Sequence, residues 1–170
     1  MGSATTLYWL LRQLPAARGI GFERDDLVFR WTRRNLDLLG LPIEILNTDY
    51  TSGLAELSVP GDRLMVAFIA LPWGDALDRA SGLDLRRSMP PIAEIVDLLA
   101  RCFGAQRLLC AIQVHETVVP ASLAELRPRL DWSSLRVHGL NAAGTITASC
   151  WAPAGDPGGR ASRSRSLTSL

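Results

Sequence analysis

The chain has 170 residues, with 18 Lys plus Arg against 17 Asp plus Glu and a formal net charge of +1. This length suits one globular domain, and the near-neutral balance excludes a strongly basic nucleic-acid-binding domain. Apolar residues make up 48% of the chain, which excludes a disordered or fibrous polymer. All the basic residues are Arg, a pattern better explained by codon bias than by a functional choice. No apolar run approaches the roughly 20 residues of a membrane span, and Met1 is not followed by the basic segment of a signal peptide. The expected setting is soluble and cytoplasmic, with no membrane partner.

In chain order, Leu7, Leu10, Leu11 and Leu14 recur at helical spacing, and Pro15 stops the helix. Residues 19–22 form a short apolar strand ending at Glu23. Asp25 is an N-cap for a helix that carries Leu27, Trp31, Leu38 and Leu39 and stops at Gly40. Residues 43–46 give a second strand, ending in Asn47-Thr48-Asp49. After a turn-rich stretch over 58–62, residues 64–70 are the clearest strand, apolar on both faces as in a helix-covered parallel sheet. It runs into Leu71-Pro72-Trp73-Gly74. A polar loop containing Arg86 and Arg87 leads to Pro90-Pro91, which suit a helix's first turn. Ile92, Ile95, Val96, Leu99 and Phe103 form the stripe of that helix. Residues 108–114 make another strand, closing on His115-Glu116.

A short helix over 120–130 and two strands over 135–140 and 145–149 complete the pattern. Strands alternating with amphipathic helices predict an α/β domain over residues 1–151, mainly a parallel sheet with helices on both faces. Residues 152–170 are rich in Pro, Gly, Ser and Arg, and are expected to be a disordered tail. Cys102, Cys110 and Cys150 show no CxxC pairing, and the only histidines are His115 and His138. No metal site is expected, because zinc needs about four tightly spaced ligands. Cys102 and Cys110 suit buried positions.

Ligands of open α/β sheets bind beyond the carboxyl ends of the strands. Those ends carry Glu23, Asp49, Leu71-Pro72-Trp73-Gly74 and His115-Glu116. With these residues in view, the sequence resembles the class I S-adenosylmethionine-dependent methyltransferases over residues 1–116. Gly2-Ser3-Ala4-Thr5-Thr6-Leu7 is similar to the second half of their glycine-rich cofactor loop. Gly19 to Asp25 is similar to their second strand, whose terminal acid, here Glu23, holds the ribose hydroxyls. Arg33-Arg34-Asn35-Leu36-Asp37-Leu38-Leu39-Gly40-Leu41 and the strand after it resemble the next helix and strand. The acid at that strand's end, here Asp49, meets the adenine edge.

Phe68-Ile69-Ala70-Leu71-Pro72-Trp73-Gly74-Asp75 resembles the segment around the S-P-P-W-G motif of trimethylguanosine-synthase-like RNA cap methyltransferases. The resemblance implies a Rossmann-like fold and S-adenosylmethionine as cofactor, bound by Gly2, Ser3, Glu23, Asp49 and Ala70. It implies methyl transfer at Pro72 and Trp73 to an exocyclic amine of a nucleic-acid base, with guanine in RNA favoured and RNA or a nucleotide as partner. An aromatic ring holds a base flat by stacking, worth on the order of 1–3 kcal/mol. Proline and nearby carbonyls aim the amine, so catalysis is largely positioning.

Each site residue has a plainer alternative. Glu23 also fits a strand-end surface acid, Asp49 an Asx-turn residue, and Trp73 a core side chain. His115-Glu116 reads as a solvated strand end or as an acid–base pair, and Arg86 and Arg87 as phosphate contacts or as an exposed loop. The sequence also departs from the family pattern. The first strand and its terminal acid are missing, leaving Gly2 of the loop. The expectation is a fragment, or a start assigned too late, in which the strands ending at Glu23 and Ala70 pair directly or keep unpaired edges. Ala70 and Leu71 replace the polar residue and first proline of the transfer motif. The alternatives are therefore a catalytically inactive binding module and a small-molecule methyltransferase.

Overall fold

The computed structural model describes residues 4–40, 43–104, 106–138 and 143–149. Gly2, Ser3, Cys150 and the tail over 152–170 lie outside the described residues. The chain divides into two compact units, Met1–Pro60 and Gly61–Leu170.

The amino-terminal unit runs α1 (Thr5–Gln13), β1 (Gly19–Phe22), α2 (Asp26–Leu39), β2 (Ile43–Leu46) and α3 (Tyr50–Glu56). β1 and β2 pair in parallel, from Gly19 opposite Ile43 to Phe22 opposite Leu46. Parallel neighbours need a crossover, and α2 provides it. Ala4, Leu36 and Ile45 are buried together, with Phe29 and Ile43 packed against them. Leu11 of α1 is buried too, and a Cβ on Gly19 would come within 2.7 Å of its Cδ1.

Asp25 caps α2 as expected: its Oδ1 accepts from the N–H groups of Leu27 and Val28, each at 2.9 Å. Gly40 ends the helix at φ 61°, a left-handed conformation that glycine adopts without a Cβ clash. Asp25→Ala leaves both donors to water and should cost about 1 kcal/mol in urea unfolding. A midpoint equal to wild type would show that the cap contributes nothing.

Two expectations need correction here. The apolar stripe Leu27, Trp31, Leu38 and Leu39 does not face the core; all four are exposed, while Thr32 and Leu36 are buried. The helix carries apolar residues on two faces, and periodicity alone does not say which one meets the sheet. The second correction is α3, which follows Asp49 directly where no helix was expected. Its Thr-Ser-Gly composition has poor helix propensity. Packing contributes instead: a Cβ on Gly53 would lie 2.3 Å from Cε1 of the Phe22 ring, so a side chain there would have to displace that ring.

The carboxyl-terminal unit contains β3 (Leu64–Ile69), the two-residue strands β4 (Leu77–Asp78) and β5 (Gly82–Leu83), α4 (Ile92–Phe103) and β6 (Arg107–His115). It continues with α5 (Pro120–Leu126), β7 (Trp132–His138) and β8 (Ala143–Ser149). A four-stranded sheet has the order β3-β6-β8-β7. β3 and β6 are parallel, and β8 lies antiparallel to both its neighbours. Alternate residues of β6, namely Leu108, Cys110, Ile112 and Val114, are buried with Ile146 and Ala148 of β8. Ile95, Val96, Leu99 and Phe103 of α4, which packs on β6, are buried as well.

β3 was expected to be covered on both faces. Ile69 is buried, but Leu64, Val66 and Phe68 on the opposite face are exposed. The strand lies at the border of its sheet and pairs with β6 alone among the described residues. Among the described residues β1 belongs to a two-stranded sheet with β2, and β3 to the four-stranded sheet.

Candidate functional site

β3 and β6 run in parallel with Ile69 opposite Ile112, so both carboxyl ends reach the same border of the sheet. The segment 70–73 leaves β3 there, beside the last residues of β6. Trp73 and His115 meet at this border in a T-shaped contact, with ring centroids 5.6 Å apart and an interplanar angle of 86°. Trp73 is half-buried, whereas Pro72 and Ala70 are exposed.

A run of backbone hydrogen bonds fastens this corner. The Trp73 carbonyl accepts from Ala76 N–H at 2.8 Å, and the Ala76 carbonyl accepts from Asp84 N–H at 2.9 Å. Leu83 N–H donates to the Thr117 carbonyl and Val119 N–H donates to the Leu83 carbonyl, both at 2.9 Å. Gly82, at φ +92°, permits this approach, since a Cβ there would fall 2.5 Å from the Thr117 oxygen. His115 Nδ1 lies 3.1 Å from the Thr117 backbone nitrogen and 3.3 Å from the Thr117 carbonyl oxygen. The histidine is thus anchored by its own turn and supports the indole.

The parallel ends of β1 and β2 carry the two predicted acids of the other unit. Glu23 N–H donates to the Leu46 carbonyl at 3.0 Å, extending the ladder by one residue. Its side chain is buried, and Oε1 accepts from Asp25 N–H at 2.9 Å. Glu23 is therefore no simple surface acid. It braces the turn that leads into the α2 cap.

Asp49 is the N-cap of α3: its Oδ1 accepts from the Thr51 hydroxyl at 2.6 Å and from Thr51 N–H at 2.9 Å. Hydrogen bonds from the hydroxyl first and the amide second hold its carboxyl below the ordinary Asp value. Nearby, Asn47 donates to Asp26 Oδ1. Asp26, Asn47, Phe29 and Arg30 line an open hollow of about 260 Å³.

Arg86 is turned to a different partner than phosphate. Its Nε and a terminal nitrogen form a fork on Asp84 at 2.9 and 2.7 Å, and the pairing holds the Asp84 carboxyl below its ordinary value. Among the described residues no group of three or more His, Cys, Asp or Glu is placed to hold a metal ion. No described helix is long and apolar enough to cross a membrane. Cys110 is buried and Cys102 half-buried.

No protein-family model matches the chain, and no curated protein matches it in sequence. Solved structures do. The N-terminal domain of human METTL16 superposes with TM-score 0.61 at 16% identity, covering 89% of this chain and 59% of that one. The same domain in complex with SAH gives TM-score 0.59 at 16% identity, with the same coverage of both chains. The delta-N METTL16 MTase domain gives TM-score 0.59 at 14% identity, covering 89% of this chain and 69% of that one. The shared feature at this identity is the fold, a Rossmann-like α/β architecture. This chain spans about three fifths of the length of the first two structures.

Proposed function

We propose that the chain is a methyltransferase-like domain that takes S-adenosylmethionine and acts on an exocyclic amine of a nucleic-acid base, with guanine in RNA favoured. The observation that carries this reading is the Pro72-Trp73 corner, an indole held by His115 where two parallel strands end. Likeness to the METTL16 MTase domain, one structure of which holds SAH, supports the cofactor class. Pro72-Trp73-Gly74 supports the finer assignment to trimethylguanosine-synthase-like cap methyltransferases.

In this reading the cofactor's acids are Glu23 and Asp49. Glu23 is a carboxylate at a strand end, suited to accept from ribose hydroxyls. Both Thr51 bonds of Asp49 go to Oδ1, and Oδ2 is the oxygen offered to the adenine edge. Gly2, Ser3 and Ala70 complete the proposed cofactor contacts. When bound, S-adenosylmethionine would supply a methyl on a cationic sulfur; the amine would take it, SAH would leave, and the amine proton would pass to solvent. Trp73 stacks the base, Pro72 stiffens the loop, and the backbone carbonyls at Ala70 and Leu71 aim the amine. His115 keeps the indole in place.

Calorimetric titration with S-adenosylmethionine and SAH tests the reading. Wild type should bind both, and Glu23→Ala should weaken binding roughly ten- to hundredfold, the loss of about 1.5–3 kcal/mol for hydrogen bonds to a charged group. Glu23→Gln, which keeps an acceptor for Asp25 N–H, separates ribose binding from bracing of the turn. Absence of binding by wild type at millimolar cofactor would refute the proposal. A second reading, a binding module without turnover, is favoured by Ala70 standing where the transfer motif has a polar side chain.

A further inference from the structure

The exposed face of α2 is unusual. Leu27, Trp31 and Leu38 are 59%, 56% and 80% exposed, and the Arg34 guanidinium lies 5.9 Å from the Trp31 ring centre. At 3.6 residues per turn these four positions fall within about 60° of one another, opposite the packed side marked by Thr32 and Leu36. The helix already has its core contacts, so this second apolar stripe is surplus to folding. Scattered exposed apolar residues need no explanation, but an ordered stripe along a 14-residue helix does.

The stripe is self-complementary. In an antiparallel pairing of two α2 helices about a two-fold axis, Leu27 faces Leu38 of the second copy and Trp31 faces its Arg34. Both pairs fall in the same register, because the residue numbers of each have the same sum. Arg30 and Asp37, both exposed, lie on one flank of the stripe. A two-fold axis across antiparallel helices brings like flanks together. Arg30 then stands within about 3 Å, along the axis, of Asp37 of the second copy, at 1.5 Å rise per residue. Charge therefore matches at both ends of the contact, with opposite signs facing as flanking charges do in coiled-coil pairs. Trp31 and Arg34 in the middle supply the residue types most enriched at contact centres.

We propose that α2 is a self-association surface through which two copies of this chain pair antiparallel, with Leu27, Trp31 and Leu38 buried between them and Arg30–Asp37 pairs at the flanks. One helix pair buries less than a standard stable interface, so the dimer is a concentration-dependent one. The inference is independent of the methyltransferase reading.

Sedimentation velocity of the full chain tests it. Wild type should be dimeric near about 100 µM and dissociate on dilution, as a small interface requires. R30D and D37R should each weaken the dimer about tenfold or more, since symmetry applies every reversal twice. The double variant R30D/D37R restores opposite signs and should recover the wild-type dimer. Leu38→Glu, at an exposed position, should be monomeric with an unchanged circular dichroism spectrum. Wild type that stays monomeric at 100 µM overturns the proposal. So does a dimer indifferent to the single reversals, or one that the double reversal fails to restore.

Discussion

Trp73→Ala should lower kcat/KM for methyl transfer to a nucleobase amine by roughly ten- to hundredfold, corresponding to the 1–3 kcal/mol of a lost base stack. The fold should survive the change. Trp73 is half-buried, and its T-shaped contact with His115 is worth about 0.5–1.5 kcal/mol, a minor part of a typical domain stability of about 5–15 kcal/mol. Trp73→Phe keeps a ring and should retain most of the rate. Transfer assayed on RNA, on free guanine nucleotides and on small amines distinguishes the acceptor classes in one series. Equal rates for the wild type and the alanine variant would remove the indole from the substrate site and leave it a scaffold residue.

Ile112→Ala should be the most damaging change to stability, at about 2–5 kcal/mol. Ile112 is fully buried on β6, with Ile69 of β3 and Ile146 of β8 as its ladder neighbours on the same face. Truncation at this point opens a cavity where three strands and α4 converge. Val66→Ala, on the exposed face of β3, is the comparison and should cost less than about 0.5 kcal/mol. Urea unfolding of the two variants reads the difference directly. A loss below 1 kcal/mol at Ile112 would mean that this sheet face is not the core.

These two residues also show how the structure divides the apolar pattern. β6 alternates burial along its length, with Leu108, Cys110, Ile112 and Val114 inside, and α4 covers that side. β3 is apolar at every position, which in a sequence signifies burial on both faces. Its Leu64, Val66 and Phe68 are nevertheless exposed, because coverage depends on what packs against a strand rather than on the strand's composition. α2 makes the same point for a helix: Leu27, Trp31 and Leu38 are left outside while Phe29 and Leu36 pack inside.

The site was legible in part. Strand ends can be located by where apolar runs stop, so Glu23, Asp49 and Pro72-Trp73 were identifiable as residues beyond carboxyl ends. His115 was visible at such an end too, but its role as the support of Trp73 was not. That role depends on β3 and β6 being neighbours in parallel register, a relation between residues more than 40 positions apart. Asp49 was read as an acid with an Asx-turn alternative. The helix it caps was missed because Tyr50–Glu56 is held by the fit of Gly53 on Phe22, a tertiary contact without a local signature.

By itself the sequence determined the order of the longer elements, the α/β class, the Asp25 and Gly40 boundaries of α2 and the strand-end positions of the candidate site, but not α3, β4 or β5. Those features rest on short-range physics: caps, helix stops and hydrophobic period act within a few residues. Only the tertiary structure decided the strand order β3-β6-β8-β7, the antiparallel direction of β8, which face of α2 packs, and the pairing of Trp73 with His115. Each of those depends on which distant surfaces exclude water together. A one-dimensional pattern supplies the candidates for that contact without choosing among them.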